Sequence, residues 1–507
     1  VQHPGLGDAA PAHIDVRLVP AALTGWIVTA AGIVWPVGRA LALGSVALVA
    51  GAALLCWATR TGARLRRIGA GLVACGVVGA GFGLAIGLRA EAVARHPLTA
   101  AFGTTAPVTV TPTESPQSLG RGRLMFRASL QRAGADETSG RVVVFARASD
   151  FGDVMVGQPV RFSARITRPT RHDLTVAVLN AAGRPTMGRA GTIQRAAHAV
   201  RSRFAAAVRD VLPADQAAAL PALVLGDTSA LNTDTAGEFR AAGMTHLTAV
   251  SGANVTIVCA AVLFCARLIG RRTAVLAAAI ALVAFVIVVQ PTASVLRAAV
   301  MGAIALLGIL SSRRRQAIPA LSATILILLA VAPQLAVDVG FALSAVATAA
   351  LVVIAPAWSR RLVARGCPKP LAEALAVAAA AHLVTAPLVA GISGRFSLVA
   401  PAANIAVAPV IAPITVLGSA AALLCVGWPA GAQLLIRFTG PELWWVLGVA
   451  RWAGGLPGAT IPMPEGVPGV AIVGAVAVFG FVLWRWRPFR IATGVAALAA
   501  VAWLFSG

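Results

Sequence analysis

The chain has 507 residues, 58% of them hydrophobic and only 12% charged, about half the charged fraction of an ordinary globular domain. Apolar runs of about 20 residues recur along it, the length of a bilayer crossing, so the composition excludes a soluble enzyme and predicts a polytopic α-helical membrane protein of about 10–13 spans. Basic residues outnumber acids by 42 to 18 for a formal net charge of +24, and all but Lys369 are arginine, a surplus that points to the phosphates of lipid headgroups or nucleic acid.

Several chemistries are excluded by what is missing. The one lysine follows Pro368 and not a glycine, so there is no Walker loop, and a Ser-x-x-Lys pair fails because position 366 is glycine. No histidine is followed by glutamate and no two of the six cysteines have the two-residue spacing of a zinc or redox pair. Neither metal nor cofactor is therefore expected, and Cys56, Cys75, Cys259, Cys265 and Cys425, all in apolar segments, read as small hydrophobes. His172-Asp173 reads as a surface pair on a strand.

Three apolar stretches open the chain, at roughly 20–38, 40–58 and 68–88, predicting an N-terminal transmembrane region over 1–88. Arg60, Arg64, Arg66 and Arg67 form a short loop that the positive-inside rule assigns to the cytoplasm. The N-terminus is then cytoplasmic, the first run is an anchor and not a cleaved signal, and the polar stretch after the third span is extracytoplasmic. Gly79, Gly83 and Gly87, one every four residues, predict close packing against another helix.

Over 89–185 the period changes. Apolar residues alternate in Leu124, Phe126, Ala128, Leu130, in Val160, Phe162, Ala164, Ile166 and in Leu174, Val176, Val178, which predicts a small β-barrel of the OB type inserted outside the membrane. Arg121, Arg123 and Arg127 fall opposite the apolar face of one strand, and Arg161 and Arg165 opposite that of another. From 89 to 215 there are 18 Arg against 9 Asp plus Glu. Two readings stand side by side, a solvated basic face and a track for a nucleic-acid backbone.

A basic amphipathic helix is predicted within 186–215, with Ile193, Ala197, Val200, Phe204, Val208 and Val211 as its apolar stripe and Arg195, Arg201, Arg203 and Arg209 away from it. It either lies at the outer membrane interface or docks the β-domain onto the membrane part. From about 216 to 507 the chain reads as membrane again. The basic groups at 267–272, 313–315 and 360–369 alternate with Pro291 and Asp338 as the positive-inside rule requires, and Arg485, Arg487 and Arg490 close the last counted span inside. The stretch 397–427, interrupted by Pro401, Pro409 and Pro413, predicts a broken or re-entrant segment.

Residues 220–258 read LPALVLGDTSALNTDTAGEFRAAGMTHLTAVSGANVTIV. With SVLRAAVMG at 294–302, DVGFALSAVATAALVVIAP at 338–356 and FSLVAPAANIAVAPVIAP at 396–413, this resembles the ComEC-type competence proteins, inner-membrane channels for DNA uptake. The resemblance covers about 215–485. Ala253-Asn254 stands where the family more often has Leu-His, and the chain ends at Gly507 where many relatives continue into a metallo-β-lactamase-like domain, so a short form is expected.

The resemblance implies passage of single-stranded DNA across the cytoplasmic membrane, by a channel and not an enzyme; a small-molecule or lipid transporter on the same scaffold is the alternative. A polyanion needs a polar path with cations along it. The channel-lining candidates are His246, Ser251, Gly252, Asn254, Arg297, His382 and Asn404. Ser251 is also read as a helix cap and Arg297 as a partner of Asp338, while Asp227 and Arg240 are expected to form a structural salt bridge or hinge. The implied partners are single-stranded DNA, membrane lipids, a helix-hairpin-helix DNA receptor, and a separate cytoplasmic ATPase or single-strand-binding protein.

Overall fold

The computed structural model describes residues 15–35, 37–58, 63–134, 136–290, 292–310 and 317–483. The arginine side chains at 60–67, Pro291, Arg313 to Arg315, Arg485, Arg487, Arg490 and the final apolar run lie outside the described set. In chain order come α1 (Val19–Val34), α2 (Gly38–Ala58) and α3 (Ala63–Ala94), and then strands β1 (Thr105–Pro112), β2 (Gln117–Gly120), β3 (Arg123–Ala133) and β4 (Asp136–Arg147). The short α4 (Ala148–Phe151) leads to β5 (Val160–Thr167) and β6 (Ala177–Met187), followed by α5 (Thr192–Val211), α6 (Ala214–Leu225), α7 (Thr233–Ala241) and α8 (Thr245–Thr248). Helices α9 (Gly252–Ala266), α10 (Arg271–Val289), α11 (Ala293–Leu310), α12 (Ala317–Val331), α13 (Val339–Val353), α14 (Ala355–Val363) and α15 (Lys369–Ser393) follow. The last elements are β7 (Arg395–Ser397), α16 (Ala400–Leu424), α17 (Pro429–Phe438), α18 (Gly440–Gly455), β8 (Thr460–Pro462) and α19 (Val467–Leu483).

Six helical segments are long and apolar enough to cross a membrane, at Ile68–Ala101, Arg271–Val289, Ala293–Leu310, Val339–Val363, Lys369–Ser393 and Ala400–Leu424, and several shorter apolar helices accompany them. The protein is a polytopic helical membrane protein with a small β-barrel. By its internal contacts the chain divides into one unit of residues 1–236, 245–345 and 407–448 and a second of 237–244, 346–406 and 449–507.

In the first unit the glycine stripe of α3 faces α2. A Cβ on Gly83 would lie 2.9 Å from the Ala42 nitrogen, and one on Gly87 would lie 3.2 Å from Arg39, so only glycine lets the two backbones meet. The barrel follows. β1 pairs with β3 and β5, β3 with β4, β4 in parallel with β6, and β6 with β5, which closes a five-strand ring of OB-like topology. The alternating residues of β3 and β5 point inward, with Phe126 1% and Ala164 0% exposed. Phe151 of α4 plugs the ring, its side chain edge-on to Phe162 at 5.1 Å.

Three expectations change here. Leu174 has φ +64 and precedes β6, whose inward residues are Ala177 and Leu179, so Val178 faces outward. Val176 is in the core as expected, but Val176 and Ala177 are consecutive buried residues, so from Ala177 on the pleat is one residue out of phase with the predicted alternation. His172 and Asp173 lie in the loop ahead of that strand. Arg121, with φ +52 between Gly120 and Gly122, forms the turn joining β2 to β3 and is not a strand residue.

The basic helix α5 docks on protein: its stripe residues Ala197, Phe204 and Val208 are buried where it meets α6, α10 and α17, while Ile193 at its start stays exposed. In the second unit β7 and β8 pair antiparallel, and α15 packs on α14 and α19. The expected break at 397–427 is absent. α16 runs continuously for 25 residues with Pro409 and Pro413 inside it, an accommodation that membrane helices make by local adjustment of the freed carbonyls.

Candidate functional site

The stretch 220–258 folds as α6, a turn, α7, α8 and the start of α9. Gly226 ends α6 with φ +68, and its N–H donates back to Ala222 at 3.0 Å, a left-handed cap that suits glycine. Asp227 then accepts from the Ser229 amide at 3.2 Å and hydroxyl at 2.7 Å. Its ion-pair partner is Arg201 of α5, 3.6 Å away, and not Arg240, which is exposed on α7.

Arg201 is the residue that sequence reasoning missed. Its Nη1 donates to the carbonyls of Leu225 at 3.0 Å, Val288 at 3.2 Å and Val289 at 3.4 Å, the C-terminal ends of α6 and α10, where carbonyls lack helical partners. Burial pulls this guanidinium below the usual arginine value, and Asp227 opposes the shift. The signal was in the spacing: positions 197, 201, 204 and 208 share one helical face, so Arg201 belongs to the docked stripe.

At the start of α9 the structure brings Ser251, Gly252, Asn254 and Arg297 together. Ser251 occupies the N-cap position, but its hydroxyl donates to the Asn254 side chain at 3.1 Å and no amide is capped by it. Asn254, 5% exposed, donates from Nδ2 to the Leu223 carbonyl at 2.9 Å and so ties α9 to α6. A Cβ on Gly252 would lie 3.0 Å from Nη2 of Arg297 and 3.3 Å from Ala298. The glycine thus admits the guanidinium against the helix start, where the peptide dipoles already favour negative charge.

Arg297 is 6% exposed inside apolar α11. Its Nε donates to Ser344 Oγ of α13 at 2.8 Å and its Nη1 lies 3.4 Å from Met301 Sδ, while Ser294 and Ser344 share a hydrogen bond of 3.1 Å. Asp338, the expected partner, instead caps α13 by accepting from the Phe341 amide at 2.8 Å. His246 is exposed on α8.

The barrel arginines separate into two groups. Arg161 and Arg165 alternate with the core residues of β5 and are exposed, and Arg123 lies over Phe145 at 5.9 Å. Arg127 is not part of that open face, because its Nη1 reaches both Glu114 oxygens at 3.0 and 3.2 Å. Burial works against its charge, yet Glu114 holds it above the usual arginine value. Burial and the nearby Arg127 pull Arg141 the other way, opposed by Asp173, Glu114 and Asp338. Ser115 donates to Gln290 Oε1 at 2.5 Å, so the segment after β1 is fastened to the C-terminal end of α10.

His382 and Asn404 belong to the second unit. The His382 ring stands 5.4 Å from Phe396, and Asn404 donates to the carbonyls of Ala400 at 2.8 Å and Gly243 at 3.4 Å. Gly243, at φ +68, would overlap Ala400 if it carried a Cβ, and Ser397 donates to the Ala241 carbonyl at 2.8 Å. These contacts seat the end of α7 on the start of α16.

A family model described as competence protein matches residues 223–488, more than half of the chain. The chain belongs to the competence protein family. The match takes in Asp227, Gly243, Ser251, Gly252, Asn254, Arg297 and Asn404 and gives this multi-pass membrane protein a role in competence, the uptake of DNA. No curated protein and no solved structure matches the chain.

Proposed function

We propose that this competence protein passes single-stranded DNA across the cytoplasmic membrane, with Ser251, Gly252, Asn254 and Arg297 on the strand's path and the exposed Arg123, Arg161 and Arg165 of the barrel guiding its approach. The observation that carries the reading is a guanidinium, 6% exposed, inside an apolar helix and against the start of α9. A buried cation is costly among membrane helices and marks ion or substrate paths, and a helix start beside it adds to the attraction for phosphate. His246 joins the same path as a polar group of the first unit, and His382 and Asn404 of the second unit are proposed as polar groups that the strand meets there. A DNA receptor that delivers the strand and a cytoplasmic ATPase or single-strand-binding protein that draws it in complete the scheme, since polar side chains along a path supply no direction.

The test is uptake of labelled DNA by cells carrying Arg297→Ala, with membrane insertion verified. Internalisation should fall at least tenfold with surface capture intact; uptake at the normal level would sink the proposal. In the purified full chain, DNA affinity should fall steeply with salt, and Arg161→Ala with Arg165→Ala should flatten that slope by about two counterions.

A further inference from the structure

The N-terminal helices hold a cleft that the transport reading does not use. It has a volume of about 270 Å³ and is lined by Val78, Phe82, Ile86 and Arg89 of α3, Thr29 of α1 and Pro333 beyond α12, among others. α1 packs on both α3 and α12, and a Cβ on its Gly25 would lie 3.2 Å from Leu326 and 3.4 Å from Phe82. α1 is therefore the floor, and α3 and α12 are the walls.

Apart from Thr29 and Arg89, every lining residue is apolar. The Thr29 hydroxyl is spent on its own helix, donating to the Gly25 carbonyl at 2.6 Å. An apolar space of this kind does not hold ordered water, so its natural occupant is hydrocarbon. Its length is that of one leaflet: Val78 to Arg89 spans about 16 Å of helix, close to half of a hydrocarbon core of about 30 Å.

The depth and charge of the rim identify the other end of the occupant. Arg64, Arg66 and Arg67, expected in a loop, belong to the first turns of α3; Arg89 follows Arg67 by 22 residues, about 33 Å along the helix, so it reaches the opposite headgroup layer. Two residues on, Glu91 is shared by Arg39 and Arg95, so the nearest carboxylate on α3 is already matched by two guanidiniums and Arg89 brings a positive charge to the cleft. The positive-inside rule does not call for arginine on this side.

We propose that the cleft binds an anionic glycerophospholipid of the outer leaflet, one acyl chain between α3 and α12 and the phosphate on Arg89. Gly81, where a Cβ would meet nothing within 4 Å, keeps the cleft wide enough for the chain. Such a lipid acts as a wedge that joins α3 to α1 and α12.

The test is native mass spectrometry of the full chain in detergent, titrated separately with phosphatidylglycerol, phosphatidylcholine and inorganic phosphate, alongside thermal unfolding with each. Phosphatidylglycerol should bind about fivefold more tightly than phosphatidylcholine, the worth of one surface arginine against an anionic lipid, and should raise the unfolding temperature. Arg89→Gln, an exposed substitution compatible with folding, should erase the preference while leaving weak binding of both lipids. Gly81→Leu should fill the cleft and remove both. Phosphatidylglycerol binding unchanged in Arg89→Gln, or inorganic phosphate stabilising the chain as well as the lipid does, would overturn the proposal.

Discussion

Arg201 holds three carbonyls and one carboxylate from a position 10% exposed, so the sharpest consequences at the residue scale follow from it. Arg201→Met should lower stability by about 2–3 kcal/mol, the worth of charge-assisted hydrogen bonds lost together, and Arg201→Lys should recover less than half, because an ammonium lacks the planar fork. Thermal unfolding of the purified chain measures both; an unfolding temperature within a degree of the parent for Arg201→Met would contradict the assignment. Gly252→Val should cost about 1–3 kcal/mol through overpacking on Arg297 and Ala298 and reduce DNA uptake. Gly237→Ala, where a Cβ meets nothing within 4 Å, should leave both at the parent level. Gly252 and Gly243 were visible in the sequence as part of a signature, but the reason for them was not: it is the closeness of Arg297 in one case and Ala400 in the other, each supplied by a helix far along the chain.

At the scale of elements, alternation located β3 and β5 residue by residue, since a strand buried on one face repeats every second residue. It failed at β6, where two consecutive residues, Val176 and Ala177, turn inward at the strand's start and nothing local announces the shift of phase. The barrel's register is therefore best probed there. Leu179→Asp should prevent the barrel from folding, whereas Val178→Asp should be tolerated; far-ultraviolet circular dichroism and expression level of the full chain distinguish the two, and the reverse order would refute the register. The continuity of α16 was hidden for a different reason. Proline is a strong break signal in water, but in a membrane helix its neighbours and local adjustments absorb the loss of one hydrogen bond. The docking of α5 was half legible: its amphipathic period was plain, but the choice between lipid and protein for the apolar face depended on α6, α10 and α17.

At the scale of the molecule, length and hydropathy established the class, because a bilayer imposes one span length on every crossing. The charge pattern goes further and predicts the side on which the barrel lies. In a cysteine-free background, Ser163→Cys on the outward face of β5 should react with a membrane-impermeant maleimide added to intact spheroplasts, and labelling only after lysis would reverse the orientation. The surplus of arginine also divides. In the orientation that this pattern predicts, the short basic loops carry what insertion requires on the inside, and the barrel, α5 and Arg89 carry cations on the outside, where DNA phosphate and lipid phosphate are the candidate partners.

The attachment of Arg201 also has a meaning in time. Its carbonyl partners on α10 lie 87 and 88 residues later in the chain. With synthesis at about 5–20 residues per second, the arginine emerges roughly 4–18 s before those partners exist. During that interval the barrel can close, since all its strands precede α5, and α5 can already settle on α6, which follows it directly. Assembly is thus ordered along the chain: the barrel can mature first, and Arg201 completes its attachment only when the end of α10 arrives.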